Sequence, residues 1–134
     1  FLSFSRGAWF NAIVAVAVLA ACANQGPTRT DTGPRQEERV QIVELIRDGR
    51  LTERDEFDRL VLPANLAGAS IDGLLEVRDD PFMVFFTTWT GTSPDPYCGY
   101  EYAPTDVSVD PDPLGSGEGE AELIGDSWYW ICAR

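Results

Sequence analysis

The chain has 134 residues, with 22 acidic side chains against ten basic ones, every basic one an arginine, and a formal net charge of −12. It contains no histidine, which removes the usual imidazole base and metal ligand, and with them Ser-His-Asp and Cys-His nucleophilic schemes. The carboxylate surplus repels nucleic acid and anionic lipid heads, so neither is an expected partner.

Residues 1–21 have the three parts of a secretory signal. Arg6 supplies the positive n-region, an apolar run extends from Ala8 to Leu19 with only Asn11 interrupting it, and small residues follow. The run is about a dozen residues, whereas a helix that crosses a ~30 Å hydrocarbon core needs about 20. Because the first residue is Phe1, translation is expected to start upstream. The four residues Leu19-Ala20-Ala21-Cys22 resemble the lipobox of bacterial lipoproteins. That resemblance implies cleavage before Cys22, a diacylglyceryl thioether on Cys22, and a further acyl chain such as palmitate on its new amine. Two or more chains hold a protein stably on a bilayer where one holds it only marginally. Ala23 follows Cys22; in Gram-negative lipoproteins the lack of Asp at that place implies the outer membrane, periplasmic side.

The expected mature chain, from Cys22, has 113 residues, which suits one domain. It carries nine arginines against 22 carboxylates, a net charge of −13. With Cys22 given to lipid, Cys98 and Cys132 are an even pair in an oxidising compartment, and a disulfide between them is the default. Two free thiols are the alternative, although the close C-x-x-C spacing of a redox pair is missing.

Residues 22–36, the lipid-bearing Cys and a polar stretch with two Gly-Pro pairs, read as a flexible tether. The domain proper is expected over 37–134. Val40, Ile42, Val43, Leu45 and Ile46 alternate with charged residues at spacings of three and four, which predicts a helix over about 36–48 ended by Gly49. Thr52, followed by Glu53, Asp55 and Glu56, reads as the N-cap of a second helix with Phe57, Leu60 and Val61 as its apolar stripe and Pro63 as its stop. Residues 73–78 and 82–89 then read as strands, the second of them β-branched and aromatic on both faces and therefore interior. Residues 91–96 form a hairpin loop, 97–103 the returning strand, 104–119 an exposed Pro/Gly/Asp-rich loop, and 120–124 with 127–133 a terminal hairpin around Gly125-Asp126.

A register follows from the cysteines. If Cys98 faces Cys132 across an antiparallel pair, Tyr100 faces Trp130 and Tyr102 faces Trp128, with all six side chains on one face. The fold class is α+β: two N-terminal helices packed on a four- to five-stranded antiparallel sheet with one disulfide. Leu62-Pro63, a short antiparallel sheet and Trp128-Tyr129-Trp130 resemble small secreted bacterial domains of no assigned function, over about residues 37–134. That resemblance implies no activity.

Three groups of side chains are candidate sites. A Tyr/Trp face of Trp89, Tyr100, Tyr102, Trp128 and Trp130, with Tyr97 nearby, could stack on a glycan or a small apolar molecule if exposed, or serve as core packing if covered. The acidic loop of Asp106, Asp110, Asp112, Glu118 and Glu120 begins like a calcium loop, but Leu114 sits where a ligand belongs and Ala121 where the bidentate Glu belongs. It reads as a solvated loop, and no metal is expected. Thr87, Thr88, Thr90, Thr92 and Ser93 around Trp89 read as the solvent edge of the sheet. Phosphate, dinucleotide and zinc motifs are missing. The chain is therefore expected to be a non-enzymatic envelope lipoprotein without a cofactor. Its expected partners are the membrane, through Cys22, and an envelope protein or glycan; the alternative is a ligand-binding module using the aromatic face.

Overall fold

The computed structural model of the chain describes residues 27–92, 96–104, 109, 111–115 and 118–134. Among these, one α-helix, α1 (Pro34–Arg47), packs against a six-stranded sheet. The strands are β1 (Leu60–Val61), β2 (Leu74–Arg78), β3 (Met83–Thr90), β4 (Tyr97–Tyr102), β5 (Gly119–Gly125) and β6 (Trp128–Ala133). Their spatial order is β1-β2-β3-β4-β6-β5 and every neighbouring pair is antiparallel. The expected architecture is thus α+β with an antiparallel sheet, but with one helix instead of two and six strands instead of four or five.

Pro34 opens α1 from its first turn, where its missing N–H costs nothing. The buried side chains of α1 are Arg39, Ile42 and Val43, with Leu45 and Ile46 half-buried against the core. Positions 39, 42, 43 and 46 form the inward stripe of a 3.6-residue period, and its first place is taken by an arginine. Val40, expected on the apolar face, is exposed.

The second helix does not form. Asp55 Oδ1 accepts hydrogen bonds from the backbone N–H groups of Phe57 and Arg59. Its other oxygen accepts one from Arg59 Nε at 2.9 Å. A local side-chain acceptor of this kind competes with the helical ladder. Asp58, with φ of 62°, lies in the left-handed region and breaks it outright. Phe57 is left 70% exposed, and Leu60 and Val61 pair with Leu75 and Leu74 as the short edge strand β1.

The β4–β6 register is the expected one: Cys98 faces Cys132, Tyr100 faces Trp130 and Tyr102 faces Trp128. The disulfide Cys98–Cys132 is formed. β3 is an interior strand, as expected, but it carries a bulge between Thr87 and Trp89. Thr87 pairs with Gly99 and Trp89 with Cys98, so Thr88 is the extra residue. Simple alternation would put Trp89 with Phe85 and Thr87; the bulge turns it to the disulfide side instead.

The helix side of the sheet holds the larger core: Leu75, Val84, Phe86, Tyr100 and Trp128 beneath Ile42 and Val43. The other side holds Phe85, Tyr97, Ile131 and Ala133, with Val109 and Tyr129 packed against them. The described part of the 104–118 loop is tied to this side. The Tyr97 hydroxyl donates to Asp112, the Leu114 N–H donates to that same hydroxyl at 3.1 Å, and Arg78 donates to the Pro113 carbonyl. An antiparallel sheet of this size is thereby covered on both faces by different means, a helix and an anchored loop.

Candidate functional site

The aromatic ladder is built as expected but is largely covered. Tyr100 has no exposed surface and Trp128 is 7% exposed, whereas Tyr102, Trp130 and Trp89 are half-buried. The cross-strand rings meet: Tyr100 and Trp130 centroids are 4.9 Å apart, and Tyr102 and Trp128 are 5.4 Å apart and edge-on. Trp128 also contacts Phe86 at 5.9 Å.

Three arginines lie over this face. Arg47 stands 4.8 Å from the Tyr102 centroid and 5.2 Å from that of Phe82. Arg29 stands 5.9 Å from the Trp130 ring. Arg39 stands 4.3 Å from the Tyr100 centroid, and it is 2% exposed. Cation–π contacts strengthen when desolvated, so the Arg39–Tyr100 pair is the strongest of these.

Arg39 also fixes the segment that precedes α1. Its guanidinium donates to the Thr30 carbonyl at 3.0 Å, to Thr30 Oγ1 at 3.0 Å and to the Ala69 carbonyl at 3.4 Å. The Thr30 N–H in turn donates to the Tyr100 hydroxyl. One residue upstream, Arg29 forms ion pairs with Asp31 at 2.9 Å and with Glu122 of β5 at 3.1 Å. Of the stretch read as a tether, residues 29–31 are therefore laid along the sheet. Neither Arg39 nor Thr30 figured among the sequence candidates. The signal that could have found Arg39 is its place in the 39-42-43-46 stripe.

Burial shapes the electrostatics here. It lowers the affinity of Arg39 for its proton, against the Tyr100 hydroxyl and nearby carboxylates, which favour the charge. Burial also raises the pKa of the Tyr100 phenol, although the Thr30 hydrogen bonds and the Arg39 charge oppose that shift. For Asp31, partial burial is outweighed by hydrogen bonds from Arg29 and from its own backbone, and the carboxyl sits below its ordinary value. A consequence is testable. The folded state keeps the Tyr100 proton to a higher pH than the unfolded chain, whose phenol titrates near 10. Stability contributed by Tyr100 is full below about pH 10 and is lost as pH rises further. Urea midpoints followed from pH 8 to 11 should fall less steeply in Tyr100→Phe than in the wild type; parallel curves would refute this.

Beside the disulfide lies a cleft of about 390 Å³ lined by Pro27, Trp89, Pro96, Cys98, Cys132, Ala133 and Arg134. The bulge at Thr88 supplies its indole wall.

The other candidates are not assembled into a site. Asp106 and Asp110 lie outside the described residues, as do Ser93 and Cys22. Asp112 is engaged by Tyr97, and Glu118 and Glu120 are exposed. Among the described residues no cluster of three or more Cys, Asp or Glu side chains is placed to hold a metal ion. The Thr88 hydroxyl reaches the Cys98 carbonyl at 3.5 Å, and Thr90 and Thr92 are exposed. Among the described residues no helix is long and apolar enough to cross a membrane. No family model, curated protein or solved structure matches the chain.

Proposed function

We propose that the chain is a lipoprotein precursor, and that its mature form, residues 22–134, is a non-enzymatic envelope protein anchored by lipid on Cys22 to the extracytoplasmic side of a bacterial membrane. The observation that carries this reading is Leu19-Ala20-Ala21-Cys22 following an apolar run. The cysteine pairing supports it: Cys98 and Cys132 are joined to each other, an arrangement suited to an oxidising compartment, and Cys22 is left over for lipid. In a Gram-negative cell the Ala23 position favours the outer membrane, facing the periplasm.

The role of the domain is a protein-interaction or structural one. Tyr100 and Trp128 lie beneath α1 and the Arg39 clamp, which supports core packing for the ladder over stacking on a glycan.

Cys22→Ala is the direct test of the anchor. The wild type is expected to incorporate labelled palmitate and to fractionate with membranes; the variant is expected to lose the label and become soluble. A variant that stays in the membrane fraction would show that the apolar run itself is the anchor. The interaction role is tested by crosslinking the lipidated protein in its native membrane followed by mass spectrometry. One recurrent protein partner is the expected result, and no partner together with saturable glycan binding would overturn it.

A further inference from the structure

We infer that the end of the sheet bearing Trp89, Pro96 and the Cys98–Cys132 disulfide is the surface on which the domain rests against the bilayer, with the Trp89 indole at the lipid–water interface. The inference rests on the reading of Cys22 as the lipid-bearing residue.

Reach from Cys22 brings this end of the domain to the lipid. Arg39 and Tyr100 fasten Thr30, while Glu122 and Trp130 hold Arg29. Pro27 already forms part of the wall of the disulfide cleft. Five residue steps separate Cys22 from Pro27, and five steps span at most about 18 Å even when fully extended. A free tether over 22–36 would span up to about 50 Å on the same basis. A domain of about 100 residues has a radius of gyration near 13 Å. The short leash therefore keeps the disulfide end close to the lipid and holds the opposite end away from it.

The chemistry of this end also suits the interface. The cleft is lined by an indole, two prolines and the two disulfide-bonded cysteines, with Arg134 as its one ionic side chain. Tryptophan is the side chain of the bilayer–water interface, its ring apolar and its N–H polar. The opposite end of the sheet carries Asp79 and Asp80 in the β2–β3 turn and Asp126 in the β5–β6 turn, all exposed. Glu118 and Glu120 flank Arg134 in the neighbouring groove of the disulfide end. With a net charge of −13 on the mature chain, the fitting surface is a zwitterionic bilayer and not an anionic one.

The test uses the lipidated mature protein in phosphatidylcholine vesicles, with or without bromine on the acyl chains. Its tryptophans are Trp89, Trp128 and Trp130. Brominated lipid should quench part of the emission, and Trp89→Phe should remove the quenched part while leaving the far-ultraviolet circular dichroism and the flotation unchanged. A reporter at the far end, Asp126→Trp in the Trp89→Phe background, should stay unquenched. If the protein floats with the vesicles and bromination leaves the wild-type emission unchanged, the proposed resting face is wrong although the anchor stands. Equal quenching of the Asp126→Trp reporter would equally overturn it, since the domain would then have no preferred face. Failure of the wild type to float at all would overturn the anchor and this face with it.

Discussion

The double variant Cys98→Ala/Cys132→Ala is expected to lose roughly 4 kcal/mol of stability, the chain-entropy value for a closed loop of this length. The bond joins residues 34 apart in sequence, and cutting it returns that loop's freedom to the unfolded chain. Domains of this size have about 5–15 kcal/mol in all, so the loss is a large share of the total. The variant should still fold, because the pairs Tyr100–Trp130 and Tyr102–Trp128 hold the same register in contact. Both cysteines are replaced because a single substitution would leave a reactive thiol. In urea, with a slope of about 2 kcal/mol/M, the midpoint should drop by about 2 M. A loss below about 1 kcal/mol would mean that the constraint predicted by the loop-entropy argument is already present in the unfolded state.

Gly99→Ala is expected to be nearly as damaging, at about 3 kcal/mol from overpacking. Gly99 sits in β4 between Thr87 of β3 and Ile131 of β6. A Cβ there would stand 2.1 Å from the Phe86 carbonyl oxygen and 2.7 Å from Phe85 Cζ. The carbonyl belongs to the backbone of an interior strand and has no rotamer by which to move aside. The Phe85 ring lies over the missing side chain and meets Tyr97 edge-on at 5.6 Å. Gly125→Ala is the control, since a Cβ at Gly125 meets nothing within 4 Å. Thermal melts of the two variants should separate clearly, and equal melting temperatures would sink the close-approach argument.

Much of the sheet was legible because two signals agreed. Alternation put Cys98, Tyr100 and Tyr102 on one face of β4, and the cysteine pairing then set the register to Trp130 and Trp128. The first helix was legible from its apolar spacing. The second was misread because Thr52, Glu53, Asp55 and Glu56 are good helix-start residues in isolation. What decided the matter was the use of the Asp55 carboxylate as a turn acceptor and the pairing of Leu60 and Val61 with β2. The β-propensity of a two-residue strand is invisible without its partner.

The bulge that sets Trp89 on the face of Cys98 and Tyr100 was illegible for another reason. A single extra residue, Thr88, reverses the face of everything after it, and nothing in Thr87-Thr88 announces a bulge. Arg39 was missed because charge normally excludes a side chain from the interior. Its burial is tolerated only because three hydrogen bonds and the Tyr100 ring replace water around the guanidinium. Those partners, Thr30 and Ala69, are far enough away in sequence that no local pattern joins them.

The outer rim of the sheet has a further consequence. β5 is an end strand, and among the described residues no strand pairs with its outer edge, which leaves a row of backbone groups open to a second molecule. Glu120 and Glu122 lie on its helix side, opposite Cys132 and Trp130. If two molecules joined their β5 strands antiparallel about Ala121, each Glu120 would face a Glu122 of its neighbour. Joined about Glu122, that carboxylate would face its own copy. Like charges directly across a strand pair are unfavourable. Both of these antiparallel registers between copies of β5 are therefore disfavoured.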